Sequence, residues 1–427
     1  MPTNKIDIME LGTRGGRVRC KVVARGTPSR YLQKGPLEFA YDLPVERLDK
    51  AVLYIPIVAA VLPVAWLTGA DVSVRELDSR YVRSLMLVQR KMKEWRPELP
   101  FSTSMAVEES RNSAFAGKGK CGLLYSCGLD STASYLRNKG RISTLIMFGG
   151  TEDMPLRDKK YWHRVCELAS SFAKTNSVSL HVVETNMLEQ VRVSLLAKDF
   201  SALLAGTNHP ADVMNWEGIF RAVLLGMAAP VSAGAHLEAL LMAPTVSAEV
   251  METLGLHPIV EETLAWGDLT VIQDSRDFTR QEKIRRFIAP YVKSGHGGVP
   301  LRVCHPINLE NYRRIREAGA LNCCNCHKCV RTILGLAMEG VDPQACGFDR
   351  ENFSADGVRR RLMDRTLLMT KTTLSHWNDL KLHIQNRPSE AVASDIWETN
   401  TFFDWLSTYD LTRNLAANTE PLEWKRS

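Results

Sequence analysis

The sequence predicts an α/β protein in which a doubly wound parallel sheet carries helices on both faces. Short apolar runs of strand length recur along the middle of the chain, and segments with a helical pattern lie between them. The predicted strands are Cys121–Tyr125, Ser143–Phe148, Ser179–Val183 and Glu238–Ala243, and the clearest helix between them is Arg157–Lys174. This alternation is typical of parallel sheets, whose strands are joined by helical crossovers.

Composition favours an ordinary globular protein of two or three domains. Of the 427 residues, 45% are hydrophobic and 24% are charged, so the chain can bury a full core without disulfides. We predict a separate N-terminal α+β domain over residues 1–115, a central α/β domain over 116–345 and a C-terminal helical segment over 346–427. The first contains an alternating segment, Arg17–Val23, and a predicted helix, Ser79–Trp95; in the last, three tryptophans are spaced as packing anchors, Trp377, Trp397 and Trp405.

Charge and cysteine usage bound the partners and the compartment. The net charge is +6 and the isoelectric point is near 8.7, which favours anionic partners such as nucleotides but is well short of a nucleic-acid tail. Four of the ten cysteines lie between residues 323 and 329, and the first residues lack the pattern of a signal peptide. This distribution indicates metal binding in a reducing environment, so we expect a cytoplasmic protein.

One segment has the length of a membrane span. Ala51–Ala70 carries no charge over twenty residues. Pro56 and Pro63 interrupt it, and no basic asymmetry flanks it. We therefore interpret it as a buried strand or helix and expect no membrane association.

A candidate phosphate-binding loop, Ser126–Thr132, follows the first predicted strand of the central domain and precedes a short predicted helix, Ala133–Arg137. A strand, a tight turn of small residues and a helix N-terminus together hold phosphate groups, because the free N–H groups point at the anion. Serine and threonine hydroxyls add donors, and Asp130 could bind Mg²⁺ or orient the loop. The alternative is a turn that only starts a helix.

The loop resembles the Ser-Gly-Gly-x-Asp-Ser signature of the PP-loop ATP pyrophosphatases, whose fold is Rossmann-like (the HUP class). That group includes the 7-cyano-7-deazaguanine synthases, tRNA thiolation enzymes, and the synthetase domains of GMP and asparagine synthetases. The match is at Ser126, Gly128, Asp130 and Ser131, and the departure is at Cys127, where the family pattern has glycine. If that position needs a positive φ angle, cysteine is strained there by about 1–2 kcal/mol.

The resemblance implies that ATP is split between its α and β phosphates and that AMP is transferred to a substrate carboxylate or amide. The implied nucleotide-binding residues are Ser126, Cys127, Gly128, Leu129, Asp130, Ser131 and Thr132, together with Phe148, Gly149 and Gly150 at the end of the next predicted strand. The implied catalytic residues are Asp130, Ser131, Arg280 and Lys283. Arg280 and Lys283 lie one helical turn apart and share a face, where they either clamp phosphates or a carboxylate, or form a solvated helix surface.

A cysteine cluster predicts a zinc site. Cys304 precedes a C-x2-C-x2-C comb formed by Cys323, Cys326 and Cys329, and this spacing lets four thiolates turn toward one tetrahedral ion. It is similar to the C-terminal zinc site of the 7-cyano-7-deazaguanine synthases. Cys324 is an additional thiol, and His305 or His327 could replace one ligand. Reduced buried thiols and a redox or iron–sulfur role remain alternatives.

Residues 120–340 also look like a broad set of poorly characterised bacterial PP-loop proteins. The shared features are His257-Pro258, Arg280-Gln281-Glu282-Lys283, Leu301-Arg302-Val303-Cys304 and Arg331-Thr332. His257 is interpreted as a packing residue rather than a base. Thr185 and Asn186 follow a candidate strand, where α/β sheets place ligand contacts. A predicted loop-to-helix junction contains Asn208, His209, Asn215, Trp216 and Glu217, of which Glu217 could act as a base.

Three functions follow as hypotheses. The first is an adenylating ligase or amidating enzyme like the deazaguanine synthases, which uses ATP, Mg²⁺ and Zn²⁺ and acts on a small carboxylate or a deazapurine-like base. Proteins of this kind also occur in bacterial antiphage (antiviral defence) operons, where resemblance implies a protein acceptor. The second is tRNA base modification, although an RNA-binding region is not evident. The third is a non-catalytic nucleotide-binding subunit, and a homodimer stays open.

Overall fold

The computed structural model describes residues 3–115, 117, 119–151, 154–203, 217–244, 247, 261–295, 298–304, 315, 319–387 and 395–416. Its centre is one ten-stranded sheet with the strand order β10-β9-β6-β7-β8-β3-β2-β1-β4-β5. The strands are β1 Lys5–Arg14, β2 Arg17–Arg25, β3 Pro36–Tyr41, β4 Asp71–Asp78, β5 Met105–Arg111, β6 Cys121–Leu124, β7 Ile142–Gly149, β8 Ser179–Thr185, β9 Ala239–Met242 and β10 Thr270–Gln273. Six of the nine strand pairings described are parallel, so the predicted α/β class is confirmed.

Thirteen α-helices are described along the chain. They are α1 Lys50–Thr68, α2 Ser79–Trp95, α3 Leu129–Arg137, α4 Lys159–Thr175, α5 Met187–Gln190, α6 Val193–Leu203, α7 Glu217–Met227 and α8 Ala229–Gly234. Then come α9 Arg280–Lys283, which runs on through a π-helical turn Ile284–Ile288 into Ala289–Lys293, and α10 His327–Met338, α11 Ala355–Met363, α12 Lys371–Gln385 and α13 Asn400–Thr408.

The half of the sheet that carries the candidate loop is wound in two directions. From β6 the chain adds β7 and β8 on one side and later adds β9 and β10 on the other, with every pairing parallel. The winding direction therefore switches between β6 and β9. Ligands of open α/β sheets bind at this point, outside the carboxyl ends of the strands.

The N-terminal strands continue the same sheet. β3 pairs antiparallel with β8, with Phe39 opposite Thr185 and Tyr41 opposite Val183. One apolar core spans this junction, because it contains Ile6 and Val18 from the first strands and Ile146 from β7. The chain division predicted at residue 115 therefore does not interrupt the sheet or this core. The domain boundaries themselves stay a prediction.

The two halves of the sheet differ in how their faces are covered. In β1 and β2 buried and exposed residues alternate, which is the pattern of a sheet covered on one face. β6 and β9 are buried at every position, as expected for parallel strands with helices on both faces. The prediction of helices on both faces of the sheet is therefore confirmed only for the half that carries the candidate loop.

The apolar run predicted to be a buried strand or helix is helix α1. It is the one helix among the described residues that is long and apolar enough to cross a membrane, and its apolar window is entirely buried inside the protein. Asp49 caps its N-terminus by accepting a hydrogen bond from the Ala51 amide, and Gly69 ends it in a left-handed conformation. Protein atoms therefore cover this helix on all sides, as in a core helix.

Sequence patterns located the central strands and a few of the helices, whereas β1, β3, β4 and β5 were not placed individually. The predicted helix Ser79–Trp95 is confirmed to the residue, and the predicted strands match β6 to β9 within one or two residues. Strand β10 was not predicted, since its four residues follow Gly267 and Asp268 without a clear period. Trp377 is buried in the core of the C-terminal helices, and Trp405 packs partly buried against it, whereas Trp397 is buried in the core that contains the four cysteines.

Candidate active site and metal centre

The candidate phosphate loop lies at the switch point of the sheet. β6 ends at Leu124 and α3 begins at Leu129, so the intervening turn lies at the carboxyl end of the strand between β7 and β9. The first N–H groups of a helix have no acceptor within that helix, and in α3 these belong to Leu129, Asp130 and Ser131. The strand, turn and helix N-terminus expected for this segment are therefore present.

Hydroxyl groups hold the turn together. The Ser131 hydroxyl donates to the Gly128 carbonyl over 3.3 Å and accepts from the Ser126 amide over 3.3 Å. The Ser126 hydroxyl accepts from the Gly128 amide, also over 3.3 Å. Ser126 is exposed, whereas Thr132 is completely buried. Ser131 therefore shapes the loop, and Ser126 presents a hydroxyl at its open side.

Cys127 occupies a left-handed backbone position. Its φ is 57°, a conformation that glycine adopts without strain. The position therefore does need a positive φ angle, and cysteine is strained where the family pattern has glycine. The thiol is fully buried, and burial raises its pKa to about 12. The side chain thus lies in the core rather than at the mouth of the loop, and it stays protonated.

Asp130 joins the loop to helix α9. One of its carboxylate oxygens accepts from Arg280 Nη1 at 2.7 Å, and the other accepts from Lys283 Nζ at 3.1 Å. Lys283 also donates to the Pro244 carbonyl at 2.7 Å, just beyond β9, and its side chain is completely buried. Burial alone would raise the pKa of Asp130, but the two cations outweigh that effect and the pKa is lowered.

These contacts decide between the two interpretations proposed for Arg280 and Lys283. A solvated helix surface is wrong, because the side chains of Arg280 and Lys283 are only 11% and 0% exposed. They converge on one carboxylate, and that carboxylate belongs to the protein itself. Because both oxygens of Asp130 already accept from cations, the contacts match its predicted role in orienting the loop rather than its alternative role as a magnesium ligand.

The end of β7 lies beside the loop, as β7 is the neighbour of β6. Gly150 has φ 84°, and a β-carbon there would come within 1.8 Å of the Thr185 carbonyl oxygen. A β-carbon at Gly149 would collide with the Trp162 ring at 2.7 Å. Both glycines are thus required by close packing. Contact of Phe148 to Gly150 with adenosine stays a prediction.

Four cysteines form a compact cluster that could hold a metal ion. The sulfurs of Cys304, Cys323, Cys326 and Cys329 all lie within 4.8 Å of one another. Cys304 Sγ is 3.8 Å from Cys326 Sγ, and Cys323 Sγ is 3.9 Å from Cys329 Sγ. Zinc bound by four thiolates at about 2.3 Å separates the sulfurs by about 3.8 Å, so this donor set fits a tetrahedral zinc ion.

The other candidate ligands near the cluster have different partners. His327 accepts from the Trp377 indole N–H through Nδ1 at 3.0 Å, and its Nε2 lies 2.8 Å from the Leu368 carbonyl. Burial lowers the pKa of His327 to about 4, which keeps it neutral. The Cys324 sulfur accepts from the Asp349 amide at 3.3 Å. Neither residue replaces a cysteine in the cluster, and His305 lies outside the described residues.

The cysteine cluster and the loop are linked by the segment that contains Cys304. The Arg302 amide donates to the Cys127 carbonyl at 2.7 Å, and Arg302 Nε donates to the Ser126 carbonyl at 3.2 Å. The buried Asn322 side chain fixes this segment by accepting from the amides of Val303 and Cys304. A metal at the cluster would therefore brace the phosphate loop through two intervening residues.

Sequence reasoning missed the polar residues that line a cavity near the loop. Arg331, quoted above only as part of a pattern, is buried close to Arg280; burial and that neighbouring charge lower its pKa to about 9, so it stays a cation at neutral pH. Burial and the same cations lower the pKa of His376 to about 2. Both residues line a cavity with Arg280 and Asp379. His376 and Asp379 lie on an ordinary amphipathic helix, so no sequence signal marked them.

Several further candidate residues lie outside the described part of the chain or support the fold. His257, Pro258, Asn208, His209, Asn215 and Trp216 lie outside the described residues, and Glu217 is described only as the first residue of α7. Thr185 and Asn186 support the sheet junction: the Thr185 hydroxyl donates to the Glu38 carbonyl at 2.9 Å, and Asn186 bonds the backbone of Pro36 and Glu38.

Comparison with known proteins gives no further assignment. No protein-family model, no curated protein and no solved structure matches the chain. Its function must therefore be argued from the site.

Proposed function

We propose that the protein is an ATP-dependent adenylating enzyme of the PP-loop type, which forms AMP and pyrophosphate while activating a carboxylate or amide for ligation or amidation. One observation supports this most: Asp130, Arg280 and Lys283 meet at the N-terminus of α3, beside the switch point of the sheet. The residues lie 150 and 153 positions apart in the chain. They belong to two of the segments on which the resemblance rests.

In this proposal the loop binds the phosphates of ATP. The free amides of Leu129, Asp130 and Ser131 and the exposed Ser126 hydroxyl would donate to phosphate oxygens. Arg280 is fixed by Asp130 and would offer its remaining donors to the same anion. Lys283 is fully buried, so it would act by holding Asp130 and by its charge. Catalysis of this kind consists of positioning and charge stabilisation.

Magnesium has a limited place in this proposal. Mg²⁺ bound with the nucleotide would neutralise phosphate charge, and it is usually held by one or two carboxylates and phosphate oxygens. Both oxygens of Asp130 already accept hydrogen bonds from cations. The ion would therefore be held mainly by the nucleotide, and no step depends on a protein ligand for it.

Zinc is proposed as a structural ion. Four thiolates fill a tetrahedral shell and leave no open position for a substrate. Its effect on the reaction would be indirect, through the bonds of Arg302 to the loop. Cys326 occupies the N-cap position of helix α10 and Cys329 lies in its first turn, where the helix dipole favours thiolates.

Product analysis with radiolabelled ATP tests the proposal. Protein and Mg²⁺ are incubated with a panel of small carboxylic acids, 7-deazapurine acids and candidate acceptor proteins. Parallel reactions contain [α-³²P]ATP, which labels AMP or ADP, and [γ-³²P]ATP, which labels pyrophosphate or phosphate, and the labelled products are separated. We expect AMP with an equal amount of pyrophosphate. ADP with phosphate, or no AMP with any substrate when ATP binds, would contradict adenylation.

A matched pair of glycine variants localises the reaction. Gly128 has an ordinary φ of −79°, and a β-carbon there would lie 3.0 Å from the Ser126 hydroxyl, at the open side of the loop. Gly128→Ala should therefore fold but form AMP at least tenfold more slowly. In Gly12→Ala the added carbon meets only the Arg19 carbonyl at 3.9 Å, so that control should match the unmodified protein.

The strained cysteine favours a second candidate, a non-catalytic nucleotide-binding subunit. Cys127 keeps a left-handed conformation at a position where the family pattern has glycine. A loop that differs from the family pattern in this way could bind ATP without cleaving it. Saturable ATP binding without AMP formation under every condition tested would favour this candidate over the first.

A further inference from the structure

A cavity next to the loop carries polar groups that the nucleotide proposal does not use. It is about 250 Å³ in volume, its open mouth included, and it lies between helices α9, α10 and α12. Its lining includes Arg280, Ile284, Arg331, His376, Asp379 and Leu380. Because that volume includes open solvent and the enclosed part is small, the cavity admits one small group rather than a whole nucleotide.

Arg331 is the unusual residue of this cavity. It is 8% exposed, and its Nε donates to the His327 carbonyl at 3.1 Å. Its Nη1 is buried and has no hydrogen-bond partner among the described residues. A buried guanidinium donor without an acceptor is costly, because burial removes water without replacing its hydrogen bond. A ligand with an acceptor oxygen would satisfy it.

The charges around the cavity favour the binding of an anion of low charge. Asp130 supplies one negative charge against the two cations Arg280 and Lys283, and Arg331 adds a third cation. Asp379 offsets one of them and lies 3.4 Å from His383. Among these five described side chains, three cations face two carboxylates, so one positive charge remains uncompensated. A single carboxylate balances it, whereas a polyphosphate would place several negative charges beside the carboxylate of Asp379.

The other residues that line the cavity indicate what the rest of such a ligand contains. Ile284 and Leu380 are apolar and would contact a hydrocarbon body. Neutral His376 forms no hydrogen bond within the described part of the chain, and the Asp379 carboxylate accepts only a weak 3.5 Å bond from the Gln281 amide besides its His383 contact. Both could accept from an N–H group of the ligand.

We propose that this cavity binds a carboxylate of the second substrate, a small acid with an apolar body, and that Arg331 is its main ligand-binding residue. The role as second substrate rests on the proposed adenylating function, whereas the binding itself does not. Arg280 would lie between the two ligands, since it contacts Asp130 on one side and lines the cavity on the other.

Ligand-observed NMR on the zinc-loaded full chain without nucleotide tests this inference. Propionate serves as the probe, propionamide as its uncharged counterpart, and pyrophosphate as the polyanion. We expect saturation transfer to propionate, little to propionamide, and no displacement of propionate by pyrophosphate. Arg331→Met should weaken propionate binding about tenfold or more, which is the usual effect of losing a charged hydrogen bond.

Matched variants keep the test interpretable. Arg286→Met removes an arginine on the neighbouring helix whose side chain is 55% exposed, and it should leave propionate binding within twofold. Arg331→Lys keeps the charge and should retain part of the affinity. Zinc content and thermal unfolding show whether each variant is folded.

Three outcomes would overturn the inference: no propionate binding, equal binding by folded Arg331→Met, or displacement by pyrophosphate that depends on Arg331. The last would assign the cavity to the phosphates of the nucleotide. ATP binding measured by calorimetry on the same samples separates the two proposals. If ATP fails to bind while propionate binds through Arg331, the adenylating function fails and the carboxylate site stands.

Discussion

The cysteine cluster and the candidate phosphate loop are neighbours in the fold, but they are built in opposite ways. The cluster uses one residue type, and three of its four cysteines come from seven consecutive residues. The loop depends on Asp130, whose two partners arrive from a helix 150 residues later. Arg302 connects the two regions. A site completed by local spacing can be recognised whole from the sequence, whereas a site completed by long-range ion pairs is recognised only in part.

Loss of a cysteine ligand should give the largest effect. We expect Cys326→Ser to abolish stoichiometric zinc binding and to cost about 4 kcal/mol or more of unfolding free energy, because metal binding contributes roughly 10 kcal/mol or more to folding in small zinc domains. Metal analysis and urea unfolding measure both quantities. Cys324→Ser is the control, since its sulfur bonds the Asp349 amide instead, and it should keep the metal. A Cys326→Ser protein with full zinc content would refute the ligand assignment.

Breaking the ion pairs of the loop should rank second. Asp130→Asn leaves Lys283 fully buried without a counter-charge, so we expect a loss of about 3–5 kcal/mol in urea unfolding. Glu109→Gln is a suitable comparison, because Glu109 pairs with Arg111 at the solvent-screened surface, and it should change stability far less than Asp130→Asn. Similar losses for the two variants would show that the buried pairs contribute no more than surface ones.

The same carboxylate predicts a pH dependence. The folded-state pKa of Asp130 is depressed, so its contribution to stability is fully present above the unfolded-state value of about 3.9 and is lost as the pH falls through the lower folded value. The stability difference between the unmodified protein and Asp130→Asn should therefore be constant near neutral pH and shrink below about pH 4. Urea titrations at several pH values check this. A difference that shrinks already near pH 6 would mean that another group is responsible.

The strained cysteine should give the smallest effect. Alanine and glycine at position 127 both remove the buried thiol, but only glycine relieves the positive φ. We expect Cys127→Gly to be more stable than Cys127→Ala by about 1 kcal/mol. Equal stabilities would indicate that the turn adjusts its backbone when the thiol is removed.

The sequence allowed much of the fold to be predicted, and less of the site. Alternation of apolar runs and helical segments located β6 to β9, since buried parallel strands are apolar throughout. The shared sheet was not predicted, because the β3–β8 pairing joins residues about 145 positions apart and leaves no local pattern. The four cysteines were all identified from their spacing.

The electrostatic partners explain the remaining gap. Arg280 and Lys283 were named as a cationic face, yet their burial against Asp130 depends on how α9 packs on α3. The orphaned donor of Arg331 and the position of His376 depend likewise on the packing of α12. Packing between distant helices carries no periodic signal along the chain, so such contacts emerge only in the folded structure.

Calorimetric titration of the protein with ATP in the presence of Mg²⁺ tests the central claim most directly. Our account predicts saturable binding at one site per chain, weakened at least tenfold in Gly128→Ala and unchanged in Gly12→Ala. No binding heat, or equal affinity in all three proteins, would show that the turn after β6 does not hold a nucleotide.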